Sequence, residues 1–508
     1  MDIARVFSAQ PSLTSADVVT IETDLSRGLF SFSIVGLPGK AIEEARDRVN
    51  SAIKNTGFKS PKSENHKVVI SLAPADLKKD GPLFDLPIAV SYLIASGALT
   101  ADVRHVLFIG ELALDGTLRP VRGVLPIVRK AKESGFTEVV VPFENREESA
   151  LIPNIRITPA HNLSEVIAHL DQKREDHVRI PEAPPTTITS TWSESAVRLE
   201  DVRGQEAAKR GLMIAAAGRH NVIMVGPPGT GKTMLARAFQ GILPPLSIEE
   251  ALEVTSIHSI AGTGEGISLR PPFRAPHHTA SYTALVGGGT QPRPGEVTLA
   301  HRGVLFLDEF PEFERRAIDA LRQPLEDRVV SISRVHSNAL FPADVILIAA
   351  MNPTRGGDER GDYAHQMIET YKHKISGPIL DRIDLWLQVP HINYDTLTEK
   401  RAPSQESDMS ETELAREKIA NARARQARRF ASVGIRTNGE MSARDLESLV
   451  ALDDAVRTLL KRSAEKLNLS PRSYHRLIKV SRTIADLEDS EHIQEPHVLE
   501  ALHYRPKM

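Results

Sequence analysis

The hydrophobic period changes repeatedly along this chain. VVTIET, LFSFSIVG, HKVVISLAP, HVLFIGELAL and TEVVVPF have the β-branched, apolar composition of strands. Between them, AIEEARDRVNSAIKNTG, DLPIAVSYLIASG and VLPIVRKAKESG have helical spacing and stop on glycine, and NLSEVIAHL reads as a closing helix. The pattern predicts an α/β domain over 1–171. Residues 172–198 lose periodicity and collect Pro, Ser and Thr, which predicts a linker. From Leu199 the runs NVIMVG, GVLFLDEF and DVILIAAMNP alternate with helical stretches, which predicts a mainly parallel sheet over 199–390. LWLQVP is a further apolar strand. From 391 to 508 the period is helical to the end.

Composition narrows the class only a little. The 508 residues are 41% hydrophobic and 25% charged, an ordinary globular balance. A net charge of −3 excludes a uniformly basic nucleic-acid coat but leaves room for local basic loops. With no cysteine there is no disulfide and no thiolate zinc site. No apolar run reaches the ~18–20 residues that span a bilayer. The first residues lack a basic head followed by an apolar core, so a cytoplasmic protein without membrane partners is expected.

The chemistry begins at GPPGTGKT, which comprises Gly226, Pro227, Pro228, Gly229, Thr230, Gly231, Lys232 and Thr233. An apolar strand precedes it and the helix MLARAFQGI follows, as a phosphate-binding loop requires. Backbone amides and a helix N-terminus would surround phosphate oxygens. Lys232 would pair with the β- and γ-phosphates of ATP, and Thr233 would ligate Mg²⁺. In GVLFLDEF, four apolar residues put Asp308 and Glu309 at the end of a buried strand. Asp308 would hold the Mg²⁺ shell and Glu309 would polarise the attacking water. Asn352 ends VILIAAMN, where a polar side chain could orient that water. Arg382 lies between two aspartates in ILDRID. Arg472 opens a helix after the cap residue Ser470; a cation there opposes the helix dipole and calls for an anionic partner, one candidate being the γ-phosphate.

The order of the phosphate loop, FLDE, AAMNP, SGPILDRID and SPRSYHR, together with FRAPHHTAS, ALVGGG and PRPGEVTLAHRGVLFLDE, resembles the ComM (YifB) family of magnesium-chelatase-like AAA+ ATPases. The resemblance covers nearly the whole chain. It implies an ATP- and Mg²⁺-dependent homo-hexamer with sites between subunits, Asn352 as sensor 1, Arg382 as a finger reaching a neighbour's nucleotide and Arg472 as sensor 2 in a helical lid. The family's best-studied activity is branch migration of DNA, a helicase-type reaction during integration of incoming DNA in natural transformation, and the resemblance implies it here. The first domain is similar to the proteolytic domain of Lon-type proteases, but Leu83 stands at the nucleophile position after KDGP and Leu125 aligns with the partner lysine. Leucine can neither attack nor accept a proton, so proteolysis is expected to be absent. Relatives carry a Cys-rich segment after the sensor-1 Asn-Pro; this chain does not.

Two loops are candidates for DNA contact. The first is the stretch 271–303, PPFRAPHHTASYTALVGGGTQPRPGEVTLAHRG, which the resemblance makes a helix-2 insert; Arg274, Gly288 and Arg293 are its candidate residues and 286–295 its moving tip. The second is a pre-sensor-1 hairpin with its tip at 335–339, carrying Arg334 and His336. Contacts of this kind bind without sequence preference and weaken with salt; packing against neighbouring subunits is the other reading of both loops. His277 and His278 have no third metal ligand in view and are read as structural or nucleotide-proximal. The six basic residues Arg416, Lys418, Arg423, Arg425, Arg428 and Arg429 share one helix, either a nucleic-acid face or a solvated one. A protein-remodelling ATPase and a chelatase motor subunit are the competing functions.

Overall fold

A computed structural model describes residues 3–11, 15–64, 66–77, 79–186, 192–263, 267–289, 293–334, 337–352, 375–392 and 409–505; for 333–334 and 337–339 only the backbone is described. The chain divides into two compact units, Met1–Thr189 with Ala251–Ser268, and Ser190–Glu250 with Leu269–Met508. Ala251–Ser268 thus groups with the first unit although the sequence pattern set it in the second domain. The C-terminal helices fall in the same unit as the parallel sheet.

The first unit is built on strands β1 (Ala4–Pro11), β2 (Ala16–Arg27), β3 (Ser31–Val35), β4 (His66–Ala73), β5 (Val106–Phe108), β6 (Glu138–Pro142) and β7 (Arg156–Ala160). Their order is β3-β4-β2-β1-β5-β6-β7, with β2 antiparallel to both β1 and β4 and the other neighbours parallel. Helix α1 (Lys40–Asn55) buries Ile42, Ala45, Val49, Ala52 and Ile53, the i, i+3, i+4 stripe that its sequence predicts. Helix α2 (Asp85–Ala95) is enclosed over Asp85–Leu93. Leu83, just before α2, and Leu125, on α3 (Val124–Glu133), are 5% and 1% exposed and belong to one apolar core. Helix α4 (Leu163–Leu170) starts at Asn162, whose side chain accepts from Glu165 N. No helix of the described residues is long and apolar enough to cross a membrane.

In the second unit, β8 (Val222–Val225), β9 (Phe273–Arg274), β12 (Val304–Leu307), β15 (Ile346–Met351) and β16 (Leu385–Gln388) form one sheet; β10 (Gly287–Gly288) with β11 (Arg293–Pro294), and β13 (Val329–Arg334) with β14 (Ser337–Pro342), form two antiparallel ribbons. The sheet order is β9-β12-β15-β8-β16 and every pair is parallel. VIMV, VLFL and ILIAAM are buried at every position, as expected for parallel strands covered on both faces. After β8 the chain goes to the far edge and works back, then places β16 on the other side of β8. Ligands of such sheets sit outside the carboxyl ends of strands beside the reversal. Register brings three of those ends together, since Val225 pairs with Met351 and Leu307 with Ala349.

Helices α5 (Glu206–Gly218), α6 (Lys232–Gly241), α7 (Tyr282–Val286), α8 (Glu296–Leu299) and α9 (Arg322–Asp327) accompany the sheet and its ribbons. Then come α10 (Glu411–Arg429), α11 (Ala443–Leu449), α12 (Asp454–Lys466), α13 (Pro471–Leu487) and α14 (Glu495–His503). Helix α10 is the basic helix of the sequence, and most of its cations are spent within the fold. Arg416 donates to the carbonyls of Gly241 and Ser193 at 2.9 Å each, and Arg423 to Ala216 O at 2.9 Å. Arg429 takes both oxygens of Asp486 at 2.6 and 2.9 Å, and Arg425 pairs with Asp489. Burial pushes the Arg423 guanidinium down to about 10. The helix is a strut against α5 and α13 rather than a continuous basic face; only Lys418 and Arg428 of the six are exposed.

Candidate functional site

The site grows from the turn that joins β8 to α6. Gly231, the residue before the helix, has φ of 91°, a left-handed backbone that a side chain would strain. The turn directs the first amides of α6 toward the loop, where the helix dipole favours an anion. Lys232 is 7% exposed, and its ammonium donates to Gly226 O at 2.8 Å and Pro227 O at 2.7 Å. Burial lowers its pKa while the Asp308 charge opposes the shift. Thr230 Oγ1 donates to Pro227 O at 2.9 Å and closes the loop on itself. The next hydroxyl crosses to the neighbouring strand end: Thr233 Oγ1 donates to Asp308 Oδ2 at 2.9 Å. Two hard oxygens beside a buried ammonium fit a magnesium-bound polyphosphate.

Asp308 also accepts from Glu309 N at 2.9 Å. Glu309 itself adopts φ 51° and ψ 44°, a left-handed conformation that costs a non-glycine residue about 1–3 kcal/mol and is typical of functional sites. Its carboxylate meets His278 Nδ1 at 3.1 Å. The His278 ring lies against His277 with centroids 4.1 Å apart, and His277 Nδ1 is 2.9 Å from Thr279 Oγ1. The two histidines therefore serve different partners, and the described residues contain no cluster of three metal-ligating side chains. The sequence allowed a nucleotide-proximal role for this pair but gave no sign that Glu309 would be the partner. Asn352 directly follows β15 and is half-buried at the same edge of the sheet.

Arg382 and Arg472 come together on a residue the sequence did not single out. Arg382 follows the short helix Gly377–Leu380 and is 7% exposed; Arg472 is in the first turn of α13, whose cap Ser470 accepts from Ser473 N at 3.2 Å. Each guanidinium takes one oxygen of Glu326 on α9. The anionic partner that the helix dipole demands of Arg472 is thus Glu326 in this chain. Among the described residues neither guanidinium bonds the 226–233 loop.

The DNA candidates separate. Arg274 grips both oxygens of Glu296 at 2.6 and 2.7 Å. β9 is an edge strand beside α8, and the bidentate pair ties the two together. Arg293 is exposed on the ribbon β10–β11, opposite Gly288. A Cβ on Gly287 would stand 2.5 Å from Arg293 O, so the ribbon can close this tightly only with glycine there. Arg334 pairs through its backbone with Ser337 at the end of β13; His336 lies outside the described residues.

Three family profiles match: "Magnesium chelatase, subunit ChlI" over residues 198–397, "Subunit ChlI of Mg-chelatase" over 21–145, and "Magnesium chelatase, subunit ChlI C-terminal" over 409–505. Competence protein ComM of Haemophilus influenzae is 42% identical over 99% of this chain and 98% of its own length. YifB of Escherichia coli is 41% identical over 99% and 97%. The magnesium-chelatase 67 kDa subunit of Chlorobaculum parvum is 27% identical over 32% of this chain and 24% of its own. The chain belongs to the ComM/YifB family of magnesium-chelatase-like AAA+ proteins.

Proposed function

We propose that the protein is an ATP-hydrolysing DNA motor, a homo-hexamer that translocates on single-stranded or branched DNA and migrates junctions. The observation that carries the ATPase part is the contact between Thr233 and Asp308 beside the buried ammonium of Lys232. The competence name of the 42% identical relative supports a role with incoming DNA. Magnesium bound with the nucleotide would spread the charge developing on the phosphates. Lys232 would exchange its two carbonyl contacts for β- and γ-phosphate oxygens. Glu309 would accept a proton from the attacking water, with Asn352 orienting that water. Arg382 and Arg472, held side by side, would be offered together to a terminal phosphate at the interface between two copies. Proteolysis is absent in this reading, because Leu83 and Leu125 are core residues and cannot act as nucleophile or base.

Two outcomes test the parts closest to the insert. His278 fixes the Glu309 carboxylate, so His278→Ala is expected to lower kcat for ATP by ~10-fold and leave KM within ~2-fold. Steady-state ATPase measurements read both; a KM effect alone would remove His278 from the proposed chemistry. Arg293→Ala is expected to reduce DNA stimulation of ATPase by more than half while basal turnover is kept, and to flatten the salt dependence of DNA binding by about one unit of slope. Equal loss of basal and stimulated rates would assign the ribbon β10–β11 to subunit packing instead. The reading as a whole is tested by ATPase assays with and without DNA.

A further inference from the structure

Glu326 holds two arginines that the proposed reaction needs elsewhere. Oε2 is taken by Arg382 and Oε1 by Arg472. Two guanidiniums on one carboxylate leave a local charge of +1, and each engages Glu326 through a single terminal nitrogen. That arrangement suits a more highly charged anion with more acceptor oxygens, which a terminal phosphate is. The Glu326 side chain is 43% exposed, so its carboxylate is hydrated by water when it leaves the pair.

What Glu326 is attached to gives the exchange a consequence. It lies at the end of α9, and the chain passes through Asp327 and Arg328 directly into the ribbon β13–β14. Gln323 of the same helix accepts from Ser331 N of β13 at 3.1 Å. Arg328 has φ of 57°, its carbonyl accepts from Ala343 N at 2.8 Å across the base of the ribbon, and its guanidinium lies 3.6 Å from Asp344 and 3.7 Å from Glu440. Helix α9 and the ribbon are thus joined by covalent continuity and by the Gln323–Ser331 hydrogen bond, while the Arg328–Ala343 bond closes the ribbon's base.

We propose that Glu326 is an exchangeable counter-ion that couples nucleotide state to the ribbon β13–β14. It holds Arg382 and Arg472 until the terminal phosphate of a nucleotide on an adjoining copy takes them. Released, Glu326 no longer anchors α9, and the ribbon shifts with that helix; after hydrolysis and phosphate loss the arginines return. The inference rests on the proposed ATPase reading and adds the residue through which the site would move a loop.

The chain contains no cysteine, so Leu340→Cys on β14, where the leucine is 60% exposed, accepts a single fluorophore on the full-length protein. The wild-type background is assayed first for ATP turnover, then for the fluorescence change produced by a non-hydrolysable ATP analogue. Glu326→Gln removes the competing charge and keeps the shape. It is expected to lower the apparent KM for ATP by ~3–10-fold. The label in Glu326→Gln should report, without nucleotide, the signal that the parent reaches only with the analogue. Glu326→Asp, which keeps the charge, should restore a nucleotide-dependent change. An unchanged KM with a parental fluorescence response overturns the proposal, and so does a collapse of kcat with a raised KM, which would make Glu326 an orienting group. A parent that binds and hydrolyses no ATP overturns the ATPase reading itself and the coupling with it, an outcome visible before any Glu326 variant is measured.

Discussion

In a Lys232→Ala chain, ATP turnover is expected to fall by ~10²–10³-fold or more, with nucleotide affinity weakened as well. Lys232 is 7% exposed and its ammonium is held by two carbonyls 2.8 and 2.7 Å away, so it is preorganised where phosphate charge would sit. Its charge acts in a partly desolvated site, where it is worth more than in water. Its removal also leaves the Gly226 and Pro227 carbonyls without that donor, which repels an anion further. The fold should survive, because the glycine turn and α6 do not depend on the side chain. Steady-state ATPase and nucleotide titration check the prediction, with circular dichroism to exclude unfolding. Turnover above about one tenth of the parental rate would remove the proposed phosphate site.

Glu309→Gln is the second large effect. The amide keeps the shape and cannot take a proton, so kcat is expected to fall by ~10²–10⁴-fold while ATP still binds. The Glu309 carboxylate contacts His278 and takes no part in the Thr233–Asp308 hydrogen bond, so the variant should leave that bond intact. The expected result is a protein that retains ATP, measured as unhydrolysed nucleotide after rapid desalting, and that accumulates the assembled form on light scattering. Near-normal hydrolysis would mean that Glu309 is held by His278 for a structural reason only.

Much of this arrangement is legible in the residues, for identifiable reasons. Fully buried parallel strands are continuous apolar runs, so VIMV, VLFL and ILIAAM announce themselves, and the loop and carboxylates at their ends follow from strand polarity alone. Short or weakly patterned strands do not. β1 reads ARVFSAQP, with small and polar residues diluting the period, yet it is an interior strand of its sheet. β7 reads RITPA; a proline inside a five-residue run argues against a strand, and the structure tolerates it because β7 is at the sheet edge. β9 is two residues long within the glycine- and proline-rich insert, too short for any pattern.

The site shows the same division. Lys232, Thr233, Asp308 and Glu309 carry a motif, and spacing fixes them. The contact of His278 with Glu309, and that of Glu326 with Arg382 and Arg472, join residues distant in sequence with no spacing to announce them, since a carboxylate on a short helix looks the same whether it is solvated or shared by two arginines. Arg274 and four of the arginines of α10 show the converse, cations whose partners within the chain the sequence does not announce. Basic residues in a promising stretch suggested nucleic acid, but the count of cations says nothing about carboxylates and carbonyls that folding brings to them.

The proposed DNA motor stands or falls on one comparison: the ATPase rate of the full-length protein with Mg²⁺, alone and with single-stranded, duplex and branched DNA at fixed salt. Branched or single-stranded DNA is expected to raise turnover several-fold, ~3–10-fold, with the stimulation fading as salt rises. A rate that is the same with every DNA, from a protein that retains none of them at low salt, would contradict it.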